Sequence, residues 1–161
     1  MSRTFRRNGK YVAASFEAFE VELLRRLGEQ LQDMLDHRDR DDPVVRRLFP
    51  PAVLGDAEAA DEVRELIEAD LLSDRLEGLQ TLLALLERGQ IQRGRLVVDL
   101  HDDEPVLVLS VLNDLRLAIG ARIDIEALDR ETVTEDDPVA YQLAVMDHLG
   151  WWQEQLLDQL G

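Results

Sequence analysis

Cysteine is absent from the 161-residue chain, which excludes disulfides, thiolate metal sites and cysteine nucleophiles by composition alone. Any response to oxidation has to use other chemistry. Lysine is nearly absent too, with one Lys against 17 Arg, the bias of a GC-rich coding sequence. No run of about 18 apolar residues occurs, so no membrane span is expected. The basic segment Met1–Lys10 lacks the apolar stretch of a signal peptide, which makes the cytoplasm the expected location. A Gly-x-Ser-x-Gly elbow, a Gly-x-Gly-x-x-Gly loop, a Walker loop and paired-histidine zinc spacings are also missing. The common hydrolase, nucleotide and zinc signatures therefore have nothing to rest on.

What the chain has in quantity is acid. Its 34 Asp and Glu give a net charge of −16, which opposes binding of a phosphate backbone over most of the surface. The charge is uneven: residues 1–16 hold Arg3, Arg6, Arg7 and Lys10 with no acid, leaving −20 on the remainder. Only a local basic patch is a candidate for nucleic acid. A length of 161 residues fits one domain, residues 1–161, with a core built without staples.

Asn8-Gly9 between two short alternating runs predicts a β-hairpin with a two-residue type I′ turn, in which Phe5 faces Val12, Arg7 faces Lys10 and Arg6 pairs with Tyr11. Ser15 is the expected N-cap of a helix starting near Glu17, whose apolar face carries Phe19, Leu23, Leu27, Leu31, Met34 and Leu35. Asp42-Pro43 starts a short helix through Val44, Val45, Leu48 and Phe49, and Pro50-Pro51 stops it. Residues 57–88 read as helix with a stripe that shifts near Asp70–Ser73, either two helices or one kinked one. Gly89 is its stop, and Gly94 lies in a polar link to a third strand, Leu96–Val98. From His101–Glu104 a helix runs to about Ile119, apolar around most of its circumference and therefore central, with Gly120 marking its weakening. Residues 124–137 form an exposed acidic connection. The last helix starts near Pro138, places Tyr141, Val145, Leu149, Trp152, Leu156 and Leu160 on one face, and is interrupted by Gly150.

Few residues group into chemistry. Asp99, His101 and Asp103 alternate, so an extended strand would offer them together to a divalent metal, the basis of a metal-dependent hydrolase reading. The competing reading, a strand running into a helix start capped by His101 or Asp102, is preferred. His37 and His148 lack a second ligand at helical spacing, and His148 beside the Trp pair reads as a boundary residue. Asn113, Asp114 and Arg116 interrupt the most apolar helix, a candidate polar network, since an unpaired buried polar group costs about 1–3 kcal/mol. Adjacent Trp151 and Trp152 point about 100° apart on a helix. Trp152 is assigned to the core, and Trp151 becomes the candidate interface anchor. Arg3, Arg6, Arg7, Lys10 and Tyr11 form a candidate partner or nucleic-acid contact on the hairpin, against the alternative of edge protection by charge.

Three segments, Asp41-Asp42-Pro43-Val44-Val45-Arg46-Arg47-Leu48-Phe49-Pro50, Leu112-Asn113-Asp114-Leu115-Arg116-Leu117-Ala118-Ile119-Gly120 and Leu149-Gly150-Trp151-Trp152-Gln153-Glu154, in this order and spacing, resemble an actinobacterial family catalogued as a domain of unknown function. The resemblance covers nearly the whole chain. Members of that family are commonly encoded beside the ClpS protease adaptor. They include AosR-type regulators of oxidative-stress transcription, which act with a sigma factor and are thought to sense oxidation through cysteines. The resemblance implies no enzymatic activity, and a chain without cysteine lacks that switch.

The expectation is a predominantly α, α+β domain: five or six helices around a central apolar helix, with a small antiparallel sheet that includes the N-terminal hairpin. Its function is read as non-catalytic regulation through protein contacts, with a sigma factor or other transcription component as the partner. No cofactor, metal or membrane is expected, and the Trp-rich last helix offers a face for a homodimer. Direct DNA binding through the hairpin is the alternative.

Overall fold

A computed structural model describes residues 3–50 and 57–161, with side chains for all of these except 57–60. The N-terminal hairpin is present as β1 (Phe5–Asn8) and β2 (Tyr11–Glu17), but its register differs from the expected one. Phe5 lies opposite Ala14, Arg6 opposite Ala13, Arg7 opposite Val12 and Asn8 opposite Tyr11, so the turn residues are Gly9-Lys10. Gly9, at φ +66°, takes the first central position, the glycine position of a type II′ turn. The two-residue slip leaves every side chain on its expected face, and pairs β2 along its whole apolar alternation. Because β2 continues to Glu17, Ser15 is a strand residue and not a helix cap.

A second hairpin, β3 (Gln90–Gln92) and β4 (Arg95–Leu100), turns through Arg93 and Gly94, both at positive φ. It completes an antiparallel sheet of order β1-β2-β4-β3. Val12, Ala14 and Phe16 of β2 and Leu96, Val98 and Leu100 of β4 alternate onto one buried face.

Helix α1 (Ala18–His37) begins at Glu17 with a reciprocal capping box between Glu17 and Glu20. Helix α2 (Pro43–Leu48) starts as expected, with the Asp42 carboxylate accepting from the Val44 N–H at 2.8 Å; Pro51 lies outside the described residues. Helix α3 (Ala57–Arg88) is one continuous helix of 32 residues. Its stripe shifts because the second half buries its leucines in the core, Leu79, Leu82, Leu85 and Leu86, whereas Val63, Leu66 and Ile67 of the first half are exposed. Helix α4 (Glu104–Arg122) contacts α1, α2, α3 and α5, the central position that its apolar content implied. A 3₁₀ turn (Arg130–Thr132) interrupts the exposed connection to α5 (Pro138–Leu160).

Two glycines expected to weaken helices lie inside them. A Cβ at Gly150 would stand 3.2 Å from the Arg116 guanidinium carbon, and one at Gly120 would stand 3.3 Å from Ile125. Their function is close packing between α4, α5 and the connection. The architecture is thus predominantly helical, with five α-helices among the described residues and a four-stranded antiparallel sheet.

Candidate partner-binding site

Helices α1 and α5 both contact α4, and Glu20 near the start of α1 meets His148 in the middle of α5. The His148 Nε2 lies 2.7 Å from the Glu20 Oε2, while Oε1 of the same carboxylate accepts from the Glu17 N–H at 2.8 Å. Glu20 is only 3% exposed, so the helix N-terminus and His148 together supply the hydrogen bonds that a buried carboxylate requires. A carboxylate oxygen accepts, so Nε2 carries the hydrogen. That bond fixes the ring's orientation.

The ring is held by aromatics as well. Trp152, fully buried, meets it edge-on at 4.5 Å between centroids, with Trp151 at 5.5 Å and Phe19 at 6.3 Å. Phe19 is 60% exposed and Trp151 38%. The result is an aromatic surface backed by an ordered polar pair. It borders an open depression of about 740 Å³, whose lining includes Glu17, Arg95, Asp147 and His148. Arg95 is fixed there by Ser15 Oγ (2.6 Å), the Ser15 carbonyl (2.8 Å) and Glu17 (3.4 Å), and Asp147 by Arg130 at 2.8 Å.

The Trp assignment from sequence matches this placement, with Trp152 in the core and Trp151 outside. Trp152 also donates from Nε1 to the Thr4 hydroxyl at 3.1 Å. The Glu20–His148 pair was missed. It joins residues 128 positions apart, and the only local signal was the Glu17/Glu20 spacing of a capping box.

The three polar residues of α4 divide between two clusters. Asp114, buried, pairs with Arg75, which also donates to the Leu48 carbonyl at 2.9 and 3.2 Å and stands over the Phe49 ring at 5.9 Å. Burial pushes the Asp114 carboxyl up from its ordinary value, against the pull of Arg75. Arg116 and Asn113 instead meet Gln153 of α5, at 3.0 and 3.5 Å. Both clusters tie α4 to its neighbours.

On the hairpin, Arg3, Arg6 and Lys10 are exposed. Arg7 is occupied: its guanidinium donates to the Gln159 and Gly9 carbonyls, and its backbone N–H to the Gln159 side chain at 2.7 Å. Gln155, one turn earlier, accepts from the Thr4 and Phe5 N–H groups. Helix α5 thereby covers the edge strand, a protection that sequence reasoning had assigned to charge alone. Tyr11 rests against His101 at 4.9 Å and not against Arg6.

The metal reading loses its geometry. Among the described residues no three His, Asp or Glu side chains are placed to hold a metal ion, and Asp99, His101 and Asp103 are all described. The strand ends at Leu100, and the His101 N–H is taken by the Glu104 carboxylate at 2.9 Å. His37 sits at the end of α1, where a bond to the Asp33 carbonyl at 2.8 Å raises its proton affinity. No described helix is long and apolar enough to cross a membrane.

A family model described as a domain of unknown function (DUF2017) matches residues 2–160. No curated protein and no solved structure matches the chain.

Proposed function

The chain belongs to the DUF2017 family of domains of unknown function, and from that premise we propose that it is a non-catalytic regulatory module that docks a protein partner on the Phe19–His148–Trp151 surface. One observation carries the reading. Two exposed aromatics flank a histidine ring that a buried carboxylate holds in place. Large aromatics on a rigid backing are what binding hot spots use, because little side-chain entropy is lost on association.

The surroundings select the partner's charge. Next to the patch Glu17 is paired with Arg95 and Asp147 with Arg130, so the selection comes from the whole surface, whose net charge of −16 steers basic partners toward it. A basic face of the transcription machinery, such as that of a sigma factor, fits this chemistry. The resemblance to oxidative-stress regulators supports the same partner class. Its cysteine switch has no residue here, so signal would enter through the partner.

The test is capture from a lysate of the source organism on immobilised protein at low and high salt, with Trp151→Ala and Phe19→Ala alongside. A transcription component that resists nuclease treatment and is at least tenfold less retained by either variant supports the docking patch. Equal retention by both variants overturns it.

A further inference from the structure

Farther along the same two helices, beyond the aromatic patch, lies a cavity of about 230 Å³ between α1, α4 and α5. Its floor is apolar, built by Leu27 and Leu31 of α1, Leu115 and Ile119 of α4, and Val145 of α5. The mouth carries Arg26, Gln30, Arg122 and Tyr141, all exposed, and half-buried Gln142. No carboxylate occurs among the described lining residues, although the chain holds 34 Asp and Glu against 18 basic residues. Arg122 is held at 3.2 Å by Asp42. Arg26 has no hydrogen-bond or ion-pair partner among the described residues.

We infer that this cavity binds a small amphipathic carboxylate, a medium-length alkyl chain whose acid group is met by Arg26 at the mouth. An apolar cavity with a few convergent polar groups at one end is the usual design of a small-ligand site. Its volume lies below the roughly 300–1,000 Å³ of drug-sized sites, which limits the occupant to a short chain. The mouth offers donors that suit an anion: a guanidinium forks two N–H groups toward a carboxylate, and the NH2 groups of Gln30 and Gln142 can add others when their amide oxygens turn away. Global charge decides between a small acid and an acidic protein segment. A single carboxylate meets little of the long-range repulsion of a −16 surface, whereas a polyacidic segment meets it at every residue. This site is separate from the docking patch, and neither depends on the other.

Titrating the full chain with octanoate, followed by amide NMR, tests the inference against 1-octanol and octylammonium. Saturable shifts at Leu27, Ile119 and Val145 are expected for octanoate. Affinity should fall at least tenfold for both controls and at least tenfold for octanoate on Arg26→Glu. Arg26 is exposed, so that variant keeps its fold, which the unliganded spectrum verifies. Equal binding of octanoate and octanol, unchanged affinity in Arg26→Glu, or shifts confined to other residues would each overturn the site. So would absence of saturation while an acidic peptide with one apolar anchor binds there.

Discussion

Asp114 is a carboxylate in the middle of the most apolar helix, and it is tolerated because Arg75 reaches it from α3 while also bonding the end of α2. Such a pair adds little over a well-packed apolar replacement, but removing one partner strands the other charge. Asp114→Ala should therefore cost about 3–5 kcal/mol in urea unfolding. The double variant Asp114→Leu/Arg75→Met should recover most of that loss. A double variant as unstable as the single one would mean that the cost comes from Arg75's bonds to Leu48 and not from its charge. That Asn113, Asp114 and Arg116 must be paired was legible from their position in an apolar run. Their partners were not, because Arg75 is 39 residues from Asp114 and Gln153 is 37 from Arg116. The same limit hid the Glu20–His148 pair: each residue alone is unremarkable, and only the crossing of α1 and α5 joins them.

At the level of elements, the junction of α3, β4 and α4 rests on a bidentate contact of Arg88 with Glu104, both bonds at 3.0 Å, and on the Arg88 bond to the Asp99 carbonyl. The Arg88 guanidinium holds the Glu104 carboxyl below its ordinary 4.5, and the His101 N–H adds to this. A lowered carboxyl value means that the folded state releases this proton more readily than the unfolded one. Its stabilisation is present above pH 4.5 and is lost as pH falls through the folded value. Glu104→Gln should thus destabilise the chain at pH 7, by under about 1 kcal/mol for so exposed a bridge, and make little difference in more acid solution. A destabilisation independent of pH, read from melts between pH 7 and 3, would assign the effect to packing. Helical elements were readable from their apolar periodicity, and α2 even from its Asp-Pro start. The sheet was less so. Both hairpin registers put Phe5 and Val12 on the same face, and only the tertiary burial of Ala14 and Phe16 separates them. Strand β3 has one apolar residue in three, all exposed, and its turn sets Arg93 at φ +53°, a residue that no turn preference announces.

For the whole molecule, charge and topology bear jointly on the DNA reading. Helix α5 lies along the β1 edge and engages Arg7, so the hairpin's free cations are Arg3, Arg6 and Lys10 on a chain of net −16. Three phosphate contacts would give a slope of about −2.7 in log affinity against log salt, a weak and easily screened interaction. At physiological ionic strength salt screens both this attraction and the repulsion from the acidic surface, and three phosphate contacts leave too little affinity to saturate. Titration of a labelled duplex with the full chain is therefore expected to show no saturable binding at 150 mM salt. Arg6→Glu/Lys10→Glu should leave both that result and partner capture unchanged. The choice of Lys10 over Arg7 matters, because changing Arg7 would loosen the α5 clasp and confuse a folding effect with a lost contact. Saturable binding with a slope near three, abolished by Arg6→Glu/Lys10→Glu while helicity is retained, would reverse the conclusion. The hairpin would then be the functional surface, and the α5 clasp the device that presents it.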